Sequence, residues 1–349
     1  MARILYGVMG DAAGHVNRAL IMAQEMSGHE FLFIGGGRVH DLESHGYAVE
    51  DVPMPATLYR NNRVDIPATV INALRVFVRS GPVVRRVADI ITAYDPDLIV
   101  TDYEYFTPIA ARKLGRPCVS LDHQHVITHC AYAVPKEERV SRLMTGWSIR
   151  RLYSRADRYV IISFFHLRAK DPATTQVFPP ILRRAVVERR ATAGDHVLVY
   201  QTSPTFHRLF PILEKIDRRF VIYGFGEQPA RKNLVFKKRS TDGFLDDLAS
   251  SQWVIANGSH NVVSEALHFG KPVFSFPIAN AYEQFFNAYF LAKLGFGAYS
   301  LETNPSEKVL TEFAARTDEF RASIQQVNFF GNEAVARRLE EMAESGAGS

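Results

Sequence analysis

The chain has 349 residues, too many for one ordinary core and enough for two domains. With 47% hydrophobic and 22% charged residues and a net charge of +4, it has the profile of a globular protein, without the dense positive field of a dedicated nucleic-acid binder. Its two cysteines, Cys118 and Cys130, are too few for a disulfide framework and lack metal-ligand spacing, so a reducing, cytoplasmic setting is expected.

No apolar run reaches the roughly 20 residues that span a bilayer. The first residues read directly as a strand with no signal-peptide pattern, and the terminal SGAGS reads as a frayed end. No internal repeat or low-complexity tract occurs. Strand and helix signals alternate, the pattern of parallel βα units.

Ile4–Val8 reads as a buried strand. The turn after it, Met9-Gly10-Asp11-Ala12-Ala13-Gly14-His15, leads into a helix over Val16–Met26. Glycines permit close backbone approach there, the helix start offers free N–H groups, and His15 has a side chain able to accept a proton. Phe31–Gly35 and Ala48–Val52 are further strands, with a short helix over Val39–His45 between them. Ile66–Ala93 is helical, broken near Gly81-Pro82. Leu98–Asp102 ends a buried strand in a carboxylate, on the rim expected for His15. That carboxylate either orients the imidazole or caps the helix predicted over Thr107–Leu114.

The next strand, Cys118–Asp122, runs into Asp122-His123-Gln124-His125, polar groups placed for substrate contact. His123 and His125 are metal-ligand types, but i, i+2 histidines leaving a strand diverge and no third ligand is spaced nearby, so no metal is expected. Glu137–Ser154 reads as a basic amphipathic helix and Tyr159–Ile162 as a strand. Around Val177–Arg184 the periodicity stops, which places the domain boundary there: residues 1–180 and 181–349, with the terminal helices free to pack back on the first domain.

The second half repeats the pattern. Strands are expected at His196–Tyr200, Phe220–Tyr223, Val235–Lys237, Val254–Asn257 and Val273–Phe276, with helices between them. The turn Gln201-Thr202-Ser203-Pro204 either binds a diphosphate or is a plain helix cap. Gly224 and Gly226, after the second strand, would let a base or ribose lie against backbone. Gly258, Ser259, His260 and Asn261 open a helix, where the dipole favours phosphate. Glu265 on that helix suits a vicinal diol, and Glu283-Gln284 opens another helix with the same choice between sugar hydroxyls and an acidic first turn.

From Val254 to Gly297 these parts stand in an order that resembles the donor signature of the GT-B glycosyltransferases, especially the MurG-like and UDP-glycosyltransferase-like branches. Asn257-Gly258-Ser259-His260-Asn261, Glu265, Gly270-Lys271-Pro272, Pro277, Glu283-Gln284 and Asn287-Ala288 carry the likeness, and the Gly10–His15 turn adds to it. Ser259 departs from a second glycine, and Ala12-Ala13 from a glycine-richer loop.

The resemblance implies an α/β fold of two Rossmann-like, doubly wound parallel-sheet domains facing across a cleft. It implies an inverting, metal-independent transferase that moves a sugar from a nucleotide diphosphate sugar, UDP by family frequency, with no further cofactor. His15 would be the base and Asp102 its partner. Thr202, Ser203, Gly224, Gly226, Gly258, Ser259, His260, Asn261, Glu265, Glu283 and Gln284 would form the donor side, and Gly14, Asp122, His123 and His125 the acceptor side. An epimerase or a non-catalytic nucleotide-sugar binder on the same fold stays open. So does the acceptor: lipid-linked, polysaccharide or small molecule. The DxD-like Asp95-Pro96-Asp97 reads as structural. Tyr59–Arg86 mixes apolar residues with Arg60, Arg63, Arg75, Arg79, Arg85 and Arg86. It reads either as a solvated helix face or as a peripheral contact with an anionic membrane.

Overall fold

Continuous apolar runs such as LIVTD and HVLVY can be buried on both faces only inside a parallel sheet covered by helices, and the computed structural model contains two such sheets. It describes residues 1–11, 13–54, 59–60, 63–78, 80–202, 206–238 and 240–345. The chain divides into two units: Met1–Leu58, Ile66–Arg183 and Gly331–Ser349 form the first, Tyr59–Asp65 and Arg184–Phe330 the second.

The first unit holds seven strands: β1 (Arg3–Val8), β2 (Glu30–Gly35), β3 (Ala48–Asp51), β4 (Leu98–Asp102), β5 (Val119–Asp122), β6 (Arg158–Ile162) and β7 (Thr175–Phe178). Their order in the sheet is β3-β2-β1-β4-β5-β6-β7, all parallel. The strand order reverses between β1 and β4, where Val8 lies opposite Asp102. Side-chain alternation feeds two cores. Ile4, Tyr6 and Val8 pack with helices Ala13–Glu25 and Asn332–Glu344. Leu5 and Ile99 pack on the other face with helices Ser80–Tyr94 and Phe106–Lys113.

The second unit holds β8 (His196–Tyr200), β9 (Arg219–Tyr223), β10 (Leu234–Phe236), β11 (Val254–Ala256), β12 (Val273–Ser275) and β13 (Gly297–Tyr299). They run parallel in the order β10-β9-β8-β11-β12-β13, so the reversal lies between β8 and β11. Both orders are the doubly wound arrangement in which ligands bind beyond the carboxyl ends of the strands at the reversal.

Local details differ from the sequence reading in four places. Thr175–Phe178 is a strand although it runs into the Pro179-Pro180 break, and Gly297–Tyr299 closes the second sheet. The long basic helix is three pieces: a 3₁₀ turn at Lys136–Glu138, an α-helix at Arg139–Ser148 and a π-helical turn at Ile149–Tyr153. The expected break near Gly81-Pro82 does not appear: both residues lie in the first turn of helix Ser80–Tyr94, where the missing N–H of Pro82 costs little, and Arg79, between this helix and Ile66–Val78, lies outside the described residues. Asp95 and Asp97 have structural partners: Asp95 accepts from Arg116 at 2.8 Å, and Asp97 from the Arg3 amide at 2.7 Å. Among the described residues, no helix is long and apolar enough to cross a membrane.

The last helix is tied to the first unit by one amide. Asn332 is buried, and its side chain pairs with both backbone groups of Leu182, accepting from N–H and donating to C=O, each at 2.8 Å. It also donates to Glu25 on the first helix at 2.9 Å. Asn332→Ala should therefore strand two buried backbone groups and cost about 2–4 kcal/mol. Urea unfolding measures this, and a loss within error of zero would refute the tie.

Candidate active site

Asp102, at the end of β4, is wholly buried, and a carboxylate there needs cationic and hydrogen-bonded partners. Helix Ala13–Glu25 supplies both from one face, three residues apart. Arg18 donates through Nε to Oδ2 at 2.7 Å and through Nη2 to Oδ1 at 2.6 Å. His15 Nδ1 lies 2.6 Å from Oδ1. Burial alone would lower the Arg18 pKa; contact with Asp102 outweighs burial and raises it. The carboxylate only accepts, so the 2.6 Å contact assigns a hydrogen to Nδ1 of His15, although Arg18 Nη2, itself only a donor, stands 3.0 Å from the same nitrogen. Nε2 has no protein partner among the described residues.

Asp102 does not cap the following helix. Glu104 does that, accepting from the amides of Phe106 and Thr107 at 2.5 and 2.6 Å, and burial raises its pKa. Between the two acids, Tyr103 adopts a φ of 54°, a left-handed conformation uncommon for a non-glycine residue. Its ring stacks on Tyr153 at 4.0 Å and lies parallel to His15 at 6.2 Å, a strained residue beside the free imidazole edge. Gly14 sits in the first turn of the same helix, one residue before His15.

The polar groups after β5, expected on the acceptor side, are buried and bonded to other protein groups. Asp122 accepts from Ser120 at 2.5 Å, from the His125 amide at 2.9 Å and from His125 Nδ1 at 2.6 Å. His125 Nε2 meets Ser154 at 3.1 Å. Burial would raise the Asp122 pKa, but His125 and these hydrogen bonds outweigh it and hold the carboxyl well below its ordinary range. His123 is buried with Nδ1 donating to the Ile162 carbonyl at 2.8 Å. Asp122 and His125 thus form a closed internal network, and all three residues are shut from solvent.

In the second unit, Asn257 after β11 is wholly buried and crosslinks three strand ends. Its Oδ1 accepts from the Thr202 amide at 2.7 Å and the Thr202 hydroxyl at 3.0 Å; its Nδ2 donates to Gln201 at 2.7 Å and to the Phe276 carbonyl at 3.3 Å. Thr202, expected to donate to a diphosphate, has both its donors committed to Asn257. Ser203 lies outside the described residues. A Cβ on Gly258 would fall 2.0 Å from the Gln284 carbonyl oxygen, so only glycine lets helix Tyr282–Lys293 approach this turn. Asn287 donates to the Gly258 carbonyl at 2.9 Å, and Gln284 Oε1 accepts from the Ile278 amide at 2.9 Å, leaving the Gln284 side-chain N–H groups as its donors.

Helix His260–His268 then starts with Ser259 at its N-cap, and the Ser259 side chain makes no capping bond. His260 and Asn261 occupy the first turn, with His260 Nδ1 3.4 Å from Asn261 Oδ1. Glu265 is buried on the same helix, and Glu283 is half-buried in the first turn of Tyr282–Lys293. A Cβ on Gly224 would lie 2.1 Å from the Gln201 carbonyl oxygen, so glycine lets this turn pack against the end of β8. Gly226 faces open space at a φ of 76°. Lys271 of the Gly-Lys-Pro turn is buried, and its ammonium donates to the Thr192 carbonyl at 2.7 Å; burial first, then Arg321, lowers its pKa to about 8.

Two doubly wound units, each with a polar cluster at the point of strand reversal, are the GT-B architecture of glycosyltransferases. Residues 2–317 match glycosyl transferase family 1, and the chain belongs to that family. It is a glycosyltransferase. An uncharacterized glycosyltransferase of Methanosarcina acetivorans is 23% identical over 336 residues, 88% of each chain. A second from the same organism is 26% identical over 329 residues, 84% of this chain and 82% of the relative. Among solved structures, Acinetobacter baumannii MurG superposes with a TM-score of 0.64 at 15% identity, covering 98% of this chain and 100% of that one. A UDP-glucosyltransferase from Polygonum tinctorium gives 0.69 at 13%, covering 100% and 99%. At these identities the structural likeness concerns the fold.

Sequence reasoning missed Arg18 and the true role of Asn257. Arg18 had a legible signal, its i+3 spacing from His15. Replacing Arg18 by Met should leave Asp102 buried with no full cation and cost about 3–5 kcal/mol. Arg18→Met/Asp102→Asn should recover much of that loss in chemical denaturation. A double variant less stable than the single one would contradict the pairing.

A second prediction concerns His129, whose ring stacks on Tyr159 at 3.8 Å. Burial, followed by the neighbouring His125, lowers its pKa from 6.5 to about 4. Between these values the unfolded chain binds a proton that the fold refuses, so this contribution to stability falls as pH drops from 6.5 to about 4. His129→Phe should flatten the urea midpoint over that window; an unchanged slope would refute it.

Proposed function

We propose that the chain transfers a sugar from a nucleotide diphosphate sugar, UDP-linked in the first instance, to a hydroxyl acceptor, with inversion and without a metal. The observation that carries this reading is the free Nε2 of His15, on a ring whose other nitrogen is fixed by Asp102 at 2.6 Å. Such a ring takes the acceptor proton while the hydroxyl oxygen attacks the anomeric carbon from the face opposite the diphosphate. Asp102 then stabilises the imidazolium, and Arg18 holds the Asp102 carboxylate in place through two hydrogen bonds.

On the donor side, the reading assigns the leaving diphosphate to the amides at the start of helix His260–His268, where the helix dipole favours negative charge as it builds. Glu265 accepts from the ribose hydroxyls, and Glu283 with the Gln284 amide meets the sugar. Thr202 acts by holding Asn257 and thereby the turn. The solved relatives include VinC with dTDP bound and a UDP-glucosyltransferase, which supports a nucleotide diphosphate as the common element. Two buried free thiols, Cys118 and Cys130, fit a reducing cytoplasm.

A thermal-shift panel of nucleoside diphosphates and nucleotide sugars identifies the donor, because a ligand of the folded state raises apparent stability by mass action. With that donor, His15→Ala should lower turnover by roughly 10²–10⁴-fold and leave donor affinity unchanged. Glu265→Ala should do the reverse, weakening nucleotide binding in calorimetry. Near-normal turnover in the first variant, or intact affinity in the second, would remove that residue from its role.

A further inference from the structure

Helix Arg139–Ser148 carries its apolar residues on the wrong side for a core. Val140, Leu143, Met144 and Trp147 follow i, i+3, i+4, i+7 spacing and so share one face. Each is 64–66% exposed. A contiguous exposed face containing tryptophan, leucine and methionine marks a contact surface rather than a solvated helix.

The charge around it says what the contact is with. Between Lys136 and Arg155 stand six basic residues, Lys136, Arg139, Arg142, Arg150, Arg151 and Arg155, against Glu137 and Glu138. That surplus of four equals the net charge of the whole chain, +4, so the remainder is neutral. No carboxylate pairs with Arg139, Arg142, Arg150 or Arg151 among the described residues; Arg142 lies over the Tyr132 ring at 4.5 Å. The Lys170 ammonium is held below its ordinary pKa by burial and then by Arg142 and Arg150, as expected beside uncompensated positive charge. A second copy of the chain would bring the same cations against this face, and like charges in register oppose such a contact.

We propose that the first unit docks on an anionic membrane surface through helix Arg139–Ser148. Trp147, Met144, Leu143 and Val140 enter the headgroup–acyl boundary, and the flanking arginines meet lipid phosphates. This is a different surface from the Tyr59–Arg86 segment. There, Arg79 and the side chains of Arg60 and Arg63 lie outside the described residues, and helix Ile66–Val78 exposes Val70, Ile71, Leu74 and Val78. The docking proposal stands independently of the donor chemistry.

The chain carries its own probe. It has two tryptophans, and Trp253 is buried in the second core, so a lipid-induced change in emission reports Trp147. The full chain is titrated with vesicles of phosphatidylcholine containing phosphatidylglycerol, and with phosphatidylcholine alone. Brominated acyl chains are included as quenchers, and binding is checked by flotation. Binding to the anionic vesicles with a blue shift and bromine quenching is expected. Binding should weaken about tenfold or more in Arg150→Glu/Arg151→Glu and in molar salt. Leu143→Asp/Met144→Asp should abolish it while circular dichroism and the melting temperature hold, since both side chains are exposed.

Three results would overturn the proposal. One is no binding to anionic vesicles at low salt. Another is binding without any change at Trp147, which would move the contact elsewhere, for instance to Ile66–Val78. The third is a blue shift without lipid that tracks dimer formation in sedimentation, which would assign the face to a second copy.

Discussion

A carboxylate buried at the end of a central strand organises the first unit. Asp102 has no solvent exposure, and an unpaired charge there would be prohibitive. Arg18 and His15 answer it from one helix face, so the interaction that makes the carboxylate tolerable also fixes helix Ala13–Glu25 against β4. Holding His15 by Nδ1 leaves Nε2 directed away from the protein partners. One arrangement therefore satisfies a buried charge, sets the register of a helix and leaves one imidazole nitrogen of His15 without a protein partner among the described residues. The left-handed Tyr103 and the cap at Glu104 follow from the same place, since the chain must turn at once after Asp102 to begin the next helix.

The second unit solves an analogous problem with a neutral group. Asn257 ties the ends of β8, β11 and the segment after β12 through four hydrogen bonds, so the turn leading into helix His260–His268 is fixed without any ligand. Gly258 and Asn287 then draw the helix Tyr282–Lys293 onto that turn. Several residues of the glycosyltransferase signature thus hold the turn, and their spacing along the chain must be kept for the crosslinks to close.

The strands were legible because strands buried on both faces in parallel sheets read as uninterrupted apolar runs, and the alternation with helices gave the doubly wound fold. His15 and Asp102 were legible because strand ends in such sheets are predictable. What the sequence does not display is which polar groups meet other polar groups of the protein. Asp122, His123 and His125 have the composition of a site; Asp122 and His125 pair with each other and with nearby Ser120, while Ser154 and the Ile162 carbonyl come from distant positions that a sequence does not pair. The bonds of Thr202 to Asn257, 55 residues away, are hidden for the same reason. Arg18 was passed over because an arginine in a helix normally reads as a solvated face. Thr175–Phe178 is a strand only because β6 offers it an edge; locally, the two prolines that follow argue for a linker.

Single displacement with His15 as the base makes a stereochemical statement that no binding or stability experiment reaches. The direct measurement is proton NMR of the anomeric centre in the first product formed, read before any mutarotation, with water serving as acceptor if no better one is at hand. The account predicts a product anomer opposite in configuration to the donor. A product of retained configuration would contradict it, because retention requires chemistry that a lone base on this side cannot supply.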